Sequence, residues 1–281
     1  MNQAGSPGAV RFAAEEFPLL PTAGNLTVPN PARVYDALLG GKDNFAADRA
    51  VADTLAAAKP ALRYNVRANR AYLGRVVRYL AGKAGIRQFL DLGTGLPSLD
   101  NTHEVAQRVA LDSRIVYVDN DPIVIAHARA MLVSSREGET ACLNADIRDP
   151  EEILEQSAKT LDFDQPVAVM LLGVLYTIPD AGRPYEKVAA YLAAAAPGSY
   201  LAISHPASDI DAESAARAAR HYDASMPTTQ TNRSRAEVSR FFAGLELLAP
   251  GVVPLNKWRP DPGDADPGVQ ISSWAGLGRK R

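Results

Sequence analysis

Cysteine, histidine and net charge are all scarce in this chain. The single cysteine, Cys142, has no partner for an internal disulfide and points to a reducing, cytoplasmic setting. The 4 histidines form no set with metal-ligand spacing, so no metal is expected. A balance of 30 basic against 32 acidic residues leaves a net charge of −2, with no basic stripe to recruit nucleic acid or a membrane surface. The longest apolar run, residues 167–179, contains Gly173 and falls short of the roughly 20 residues that a bilayer span requires. Residues 1–16 carry Glu15 and Glu16 and have no apolar core, which does not read as a secretory signal. A Ser-centred nucleophile elbow is also missing. What remains is a composition of 47% hydrophobic and 22% charged residues over 281 positions, enough for one globular α/β domain with an appended helical segment.

Residues 88–121 carry the clearest pattern. A short apolar run, Phe89-Leu90, ends in Asp91 and breaks at Gly93 and Gly95. A helical stretch over residues 101–110 follows, and then a Val/Ile/Tyr run that ends in Asp119-Asn120-Asp121. Strand, glycine turn, helix and strand make half of a doubly wound sheet. The glycines let a ligand lie against the turn, and a carboxylate closing the next strand is placed to accept the hydroxyls of a ribose. A dinucleotide would want a third glycine and a free helix N-terminus for its pyrophosphate. Here Leu96-Pro97-Ser98 fills that place, so a nucleoside without phosphates fits better. S-adenosylmethionine is such a ligand, and its cationic groups suit a mouth containing Asp91, Asp119 and Asp121.

Around this unit, residues 1–29 read as a flexible tail, residues 30–83 as an N-terminal helical cap and residues 84–281 as the nucleoside-binding domain. The cap holds a short helix from residue 31 stopped at Gly40-Gly41, a second over 46–58 and a third over 61–81. Arg63, Arg67 and Arg70 flank the third helix, either as a solvated face or as a grip for an anionic group. Beyond Asp121 the pattern gives a helix over 122–133, a strand ending at Asp146, and a wholly apolar strand from Val167. A helix over 183–195, a strand over 200–205, and helices over 210–224 and 234–242 follow. Runs 245–255 and 269–274, separated by the Pro/Asp/Gly stretch 260–268, read as a hairpin-like pair, and residues 278–281 as a solvated tail. Five parallel strands and a closing antiparallel pair make a seven-stranded, mostly parallel, doubly wound α/β sheet.

Four motifs then agree with a known family. Asp91-Leu-Gly-Thr-Gly-Leu-Pro-Ser resembles the first S-adenosylmethionine motif of class I methyltransferases, and Val118-Asp-Asn-Asp-Pro their second. Asn144-Ala-Asp-Ile-Arg-Asp and Leu171-Leu-Gly-Val-Leu-Tyr-Thr-Ile-Pro-Asp resemble the third and fourth. Residues 32–45, with Asn65-Val-Arg-Ala-Asn-Arg, are similar to an actinobacterial family of S-adenosylmethionine-dependent methyltransferases whose acceptor is unassigned. The resemblance covers residues 29–276. It implies that Gly93, Thr94, Gly95 and Leu96 border the methionine portion, with Asp91 beside them. It implies that Asp119 holds the ribose while Asn120 and Asp121 close over the adenine. Asp146 and Ile147 would fix the adenine edge, and Leu172 and Gly173 would lie beneath the transferring methyl. Tyr176 stands where related sequences often carry a His-His pair.

In-line methyl transfer asks the protein mainly to align the acceptor and exclude water. A base matters only for a hydroxyl or a protonated amine, and the candidates are His205 and Tyr176. His205 also reads as a strand-end capping residue. Tyr35, Gly41, Lys42 and Asn44 are expected on the underside of a lid over the cofactor, with Gly40-Gly41 as a hinge or simply a helix stop. The expected acceptor is a small molecule. Two rival readings are a catalytically silent S-adenosylmethionine-binding protein and an NAD-dependent oxidoreductase.

Overall fold

A computed structural model describes residues 24–262 and 268–281. Four N-terminal helices, α1 (Gly24–Thr27), α2 (Pro31–Leu39), α3 (Ala46–Ala58) and α4 (Leu62–Gly82), lead into the sheet. Strands and helices then alternate: β1 (Gln88–Leu92), α5 (Thr102–Val109), β2 (Arg114–Asp119), α6 (Pro122–Met131), β3 (Glu139–Asn144) and α7 (Pro150–Ser157). The second half holds β4 (Ala168–Leu172), α8 (Pro184–Ala194), β5 (Tyr200–Pro206), α9 (Ala212–Ser225) and α10 (Arg235–Arg240). The chain closes with β6 (Glu246–Leu247), β7 (Val253–Pro254) and β8 (Ser273–Arg279).

The strand order is β3-β2-β1-β4-β5-β8-β6, with β7 also paired to β8. The first five strands are mutually parallel, and β8 runs antiparallel to β5. The order reverses between β1 and β4, which opens a crevice at the carboxyl ends of those strands. Adjacent residues along each strand feed opposite layers. Leu90, Val116, Val169 and Ile203 pack towards Ile153, Val188 and Val238 of α7, α8 and α10. Phe89, Ile115, Met170 and Ala202 pack towards Val76, Val77 and Ala106 of α4 and α5. This two-sided burial is why the strands read as continuous apolar runs.

The α4 helix, which the sequence groups with the cap, buries Leu73, Val76, Val77 and Leu80 against the sheet. A separate small core joins α2 and α3 to α9 through Val34, Leu38, Val51, Leu55 and Tyr222. The expected tail lies mostly outside the described residues, but Gly24–Thr27 forms one helical turn.

The C-terminal region corrects the sequence expectation. Run 245–255 breaks into β6 and β7, both antiparallel to β8, so the sheet has eight strands rather than seven. The supposed solvated tail is structural. Gly278 lies inside β8, and Lys280 Nζ donates to the carbonyls of Leu192 and Ala195 at 2.7 and 2.6 Å, capping the end of α8. Of the intervening stretch, residues 263–267 lie outside the described residues. Helix α7 was not anticipated, and α6 stops at Met131, two residues short of the expected end.

Candidate active site

The turn after β1 is built by two backbone bonds. Gly93 N and Thr94 N both donate to Val118 O, at 2.8 and 3.1 Å, which folds the turn back over β2. Gly93 has φ +73°, and a Cβ there would meet Val174 Cγ2 at 2.3 Å, so no side chain fits. Asp119, at the end of β2, accepts from Gly95 N at 2.9 Å through Oδ2 and from Asp121 N at 3.0 Å through Oδ1. Asp91 is buried and accepts from Thr102 Oγ1 at 2.7 Å.

These groups face a cavity of about 270 Å³ at the reversal point of the sheet. Of the residues the sequence nominates, Asp91, Gly93, Thr94, Gly95, Asp119, Asn120, Asp146, Ile147, Leu172, Gly173, Tyr35 and Tyr176 line it. Four others do not. Leu96 is buried beneath the turn. Asp121 caps α6 through Ile123 N (2.8 Å) and pairs with Arg33 (3.2 Å). Gly41 and Asn44 belong to a turn centred on Asp36. Its carboxylate accepts from Asn44 Nδ2 at 2.7 Å and from Asp43 N at 3.0 Å, and it leaves no room for a Cβ at Gly41. Gly40, at φ +84°, is the left-handed C-cap of α2, so the Gly-Gly pair ends a helix in a braced turn. Lys42 is exposed and does not line the cavity.

Burial pushes the Asp91 carboxyl up to about 6, against the opposing Thr102 hydrogen bond, and Asp119 also moves up through burial. The Arg148 side chain instead holds Asp146 below the usual carboxylate range. Arg70 lines the cavity, anchored on the carbonyls of Leu99 and Asp100 at 2.8 and 2.9 Å. Arg63 bonds Asp53 and the end of α2. The N-terminus of α5 carries a capping box in which Glu104 accepts from Asn101 N at 2.8 Å. The N-terminus of α5 is thus capped by its own carboxylate and does not line the cavity.

A second cavity, of about 110 Å³ and mostly apolar, adjoins the first. Both are bordered by Pro31, Tyr35, Asn69, Gly173 and Tyr176. Asn69 and Tyr35 of this shared wall are tied into a hydrogen-bond chain that runs from Ser204 to Val66 on the side of the second cavity. Ser204 Oγ donates to Asn69 Oδ1 (2.5 Å), Asn69 Nδ2 donates to the Tyr35 hydroxyl (3.0 Å), and that hydroxyl donates to Val66 O (3.0 Å). The phenol of Tyr176, edge-on to Tyr222, is pushed well above its usual range by burial first and by Tyr222 second.

His205 borders the second cavity, yet both ring nitrogens are engaged. Nδ1 donates to Pro206 O at 2.9 Å, and Nε2 accepts from Arg233 at 2.9 Å. Burial lowers its pKa to about 4. The lone pair that would take a proton in general-base catalysis already holds Arg233, and the ring sits at the end of β5. That guanidinium is fully buried and also donates to the carbonyls of Leu175 and Ile178 and to Asp180. The sequence reading did not single out Arg233 or Lys59, and it quoted Asn69 only within a motif. Among the described residues no group of His, Cys, Asp and Glu could hold a metal ion, and no helix is long and apolar enough to cross a membrane.

Taken together, the parallel sheet with its antiparallel closing strand, the glycine turn and the acidic strand ends define a class I, Rossmann-like methyltransferase fold built for a phosphate-free nucleoside. The chain belongs to the S-adenosyl methyltransferase family, whose model matches residues 22–281, and its cofactor is S-adenosylmethionine. Two solved structures are similar over almost their whole length. A DUF574 family protein from Streptomyces avermitilis is 40% identical with a TM-score of 0.89, the match covering 92% of this chain and 99% of that one. A candidate methyltransferase from Thermobifida fusca is 43% identical with a TM-score of 0.85, covering 94% and 100%. No curated protein matches the chain.

Proposed function

We propose that this protein transfers a methyl group to a small-molecule acceptor held in the second cavity. The observation that carries this reading is the shared wall, Tyr35, Asn69, Gly173 and Tyr176, between a nucleoside-sized cavity and a smaller apolar one. When bound, S-adenosylmethionine supplies an electrophilic methyl on a sulfonium.

The residues of the chain do the rest. Asp119 accepts the ribose hydroxyls, with its carboxylate already oriented by Gly95 N. Asn120, Asp146 and Ile147 border the adenine, and Asp91, Thr94 and Arg70 the amino-acid end, where opposite charges face both its ammonium and its carboxylate. Pro31, Ala32 and Tyr35 of α2 roof the cavity and exclude water. Gly173, at φ +73°, has no side chain and keeps the opening between the two cavities clear. Tyr176 acts as a positioning wall, because its buried phenol stays protonated.

The wall holds no free base. Ser204, Asn69 and Tyr35 are mutually satisfied, and His205 is committed to Arg233. The acceptor atom therefore enters with a lone pair available at neutral pH, and orientation supplies the main rate advantage.

Calorimetric titration with S-adenosylmethionine, S-adenosylhomocysteine and NAD tests the reading. Micromolar binding of both sulfur nucleosides with no binding of NAD is expected. Binding of NAD alone would overturn it.

A further inference from the structure

The second cavity contains one feature that an apolar pocket does not need. Lys59 follows the last residue of α3, is 5% exposed, and lines this cavity but not the cofactor cavity. Among the described residues its amine has neither a hydrogen-bond partner within bonding distance nor a carboxylate within ion-pair distance, although its backbone is bonded at both ends. Asp211 is the carboxylate whose charge reaches it, acting against the burial that lowers its pKa. Its amine is accessible from the cavity rather than enclosed in the core, and a cation largely withdrawn from bulk water and without a partner is costly unless something pairs with it. The remaining lining is aliphatic and aromatic: Val34, Leu38, Leu55, Ala218 and Tyr222, with Tyr176 at the cofactor side. At about 110 Å³ the space is near the ~150 Å³ of apolar cavities known to admit benzene.

We propose that the methyl acceptor is a compact, single-ring-sized apolar molecule bearing a carboxylate, whose anion pairs with Lys59 while its nucleophilic atom faces Asn69 and Ser204. This proposal rests on the methyltransferase reading and adds the substrate class. Lys59 is a binding and orienting group. Anchoring the acceptor at the end away from the shared wall fixes which atom reaches Gly173, and the desolvated ammonium rejects cationic analogues of the same size. The new bond forms from the acceptor's lone pair to the methyl carbon while the carbon–sulfur bond breaks, with its electron pair left on sulfur as neutral S-adenosylhomocysteine, and any N–H proton of the methylated product leaves afterwards to water. Lys59 takes no proton in this exchange.

The test uses benzoate as the probe, benzamide as its neutral isostere and benzylamine as its cationic counterpart, each titrated into the full-length protein with S-adenosylhomocysteine. The variants are Lys59→Met, which keeps the stem and removes the charge, and Leu55→Trp, which fills the cavity and leaves Lys59 in place. Saturable benzoate binding that weakens about tenfold or more in Lys59→Met is expected, in line with the loss of one charge-assisted bond. Benzamide should bind both proteins equally and more weakly, benzylamine should not bind, and Leu55→Trp should abolish benzoate binding. Lys59→Met should also match or exceed the wild-type melting temperature, since it removes a charge that burial disfavours. Equal benzoate binding by wild type and Lys59→Met, or no saturable benzoate binding by a protein that still binds S-adenosylhomocysteine, overturns the substrate class and leaves the methyltransferase reading standing. Failure to bind S-adenosylhomocysteine overturns both.

Discussion

Arg33 and Asp121 form a buried ion pair, 3.2 Å apart, between α2 and the loop that closes β2. The same guanidinium pairs with Asp48 of α3 at 3.0 Å and donates to Val28 O at 2.6 Å. Asp48 in turn accepts from the backbone of Asn30 and Phe45. One cation thus fastens α2, α3 and the strand that carries Asp119. A buried pair of this kind adds little net stability, yet removing one partner leaves the other charged and desolvated. Arg33→Met is expected to cost about 3–5 kcal/mol in urea unfolding, because it strands two carboxylates. Asp121→Asn should cost less, since Arg33 keeps Asp48 and the amide oxygen can still cap α6.

Asp119 offers a cleaner separation of binding from folding. Its carboxylate is braced by Gly95 N and Asp121 N, bonds that shape the loop without anchoring the core. Asp119→Ala is expected to remove about 1.5–3 kcal/mol of S-adenosylhomocysteine binding, roughly 10- to 150-fold. The melting temperature should change little by comparison. Calorimetry of the variant beside wild type checks both, and unchanged affinity would remove Asp119 from the ribose site.

How much of this was legible in the sequence depended on how local each signal was. The β1–turn–α5–β2 unit declares itself because its glycines, capping residues and apolar runs lie within about 30 consecutive residues, and the doubly buried β4 shows as one unbroken apolar run. By contrast, β8 contains Gly276 and Gly278, which argue against a strand on propensity alone. They are required because Phe242 and Leu245 pack at 2.8 to 3.0 Å from where a Cβ would sit. The hydrogen bond between Ser204 and Asn69 joins residues 135 positions apart, and Arg233 meets His205 and Leu175 from a loop. Such contacts have no sequence period. Gly41 and Asn44 belong to a specific motif, but its task is to satisfy Asp36, which only the folded turn reveals.

Gly93 makes a prediction in which two causes can be separated. A Cβ there would strike Val174 and would also force an L side chain into the left-handed region at φ +73°. Gly93→Ala is expected to destabilise the protein by about 2–4 kcal/mol, combining backbone strain of roughly 1–2 kcal/mol with steric displacement. Adding Val174→Ala should relieve the steric part only. Full recovery of the unfolding midpoint in the double variant would show that the backbone bears no strain.

Asp91 should make stability depend on pH in an unusual direction for a carboxylate. Its folded pKa is raised to about 6 against an ordinary value of 3.8, so the native state binds the proton more tightly than the unfolded chain. The contribution is favourable below pH 4 and is lost as pH rises through 6, an amount on the order of 3 kcal/mol. Asp91→Asn keeps an acceptor for Thr102 and carries no charge to desolvate. It should therefore be more stable than wild type at pH 7.5, with the gap closing towards pH 4, while its affinity for the cationic cofactor falls. Thermal melts across that range decide the point, and a gap that stays constant with pH would place the cause elsewhere.

His205 sets the opposite slope, and its reason lies in Arg233. Burial lowers the imidazole pKa from 6.5 to about 4, so the unfolded chain takes up a proton that the native state refuses. The stability held by this group is fully present above pH 6.5 and drains away as pH falls through that value towards 4, by roughly 3 kcal/mol in all. Protonation would also set a donor against the Arg233 guanidinium, 2.9 Å away, where an acceptor now sits. His205→Gln supplies a neutral acceptor and should flatten the acid side of the stability profile at modest cost at pH 7.5. His205→Phe should cost more at every pH, because it leaves an Arg233 N–H in an apolar setting without its partner. If His205 were instead the proton acceptor in methyl transfer, His205→Gln would abolish turnover and erase a limb near pH 4–6.5 from the rate profile. With the ring nitrogens occupied as they are, binding of S-adenosylhomocysteine is expected to be unchanged in the Gln variant and any loss of turnover to be independent of pH.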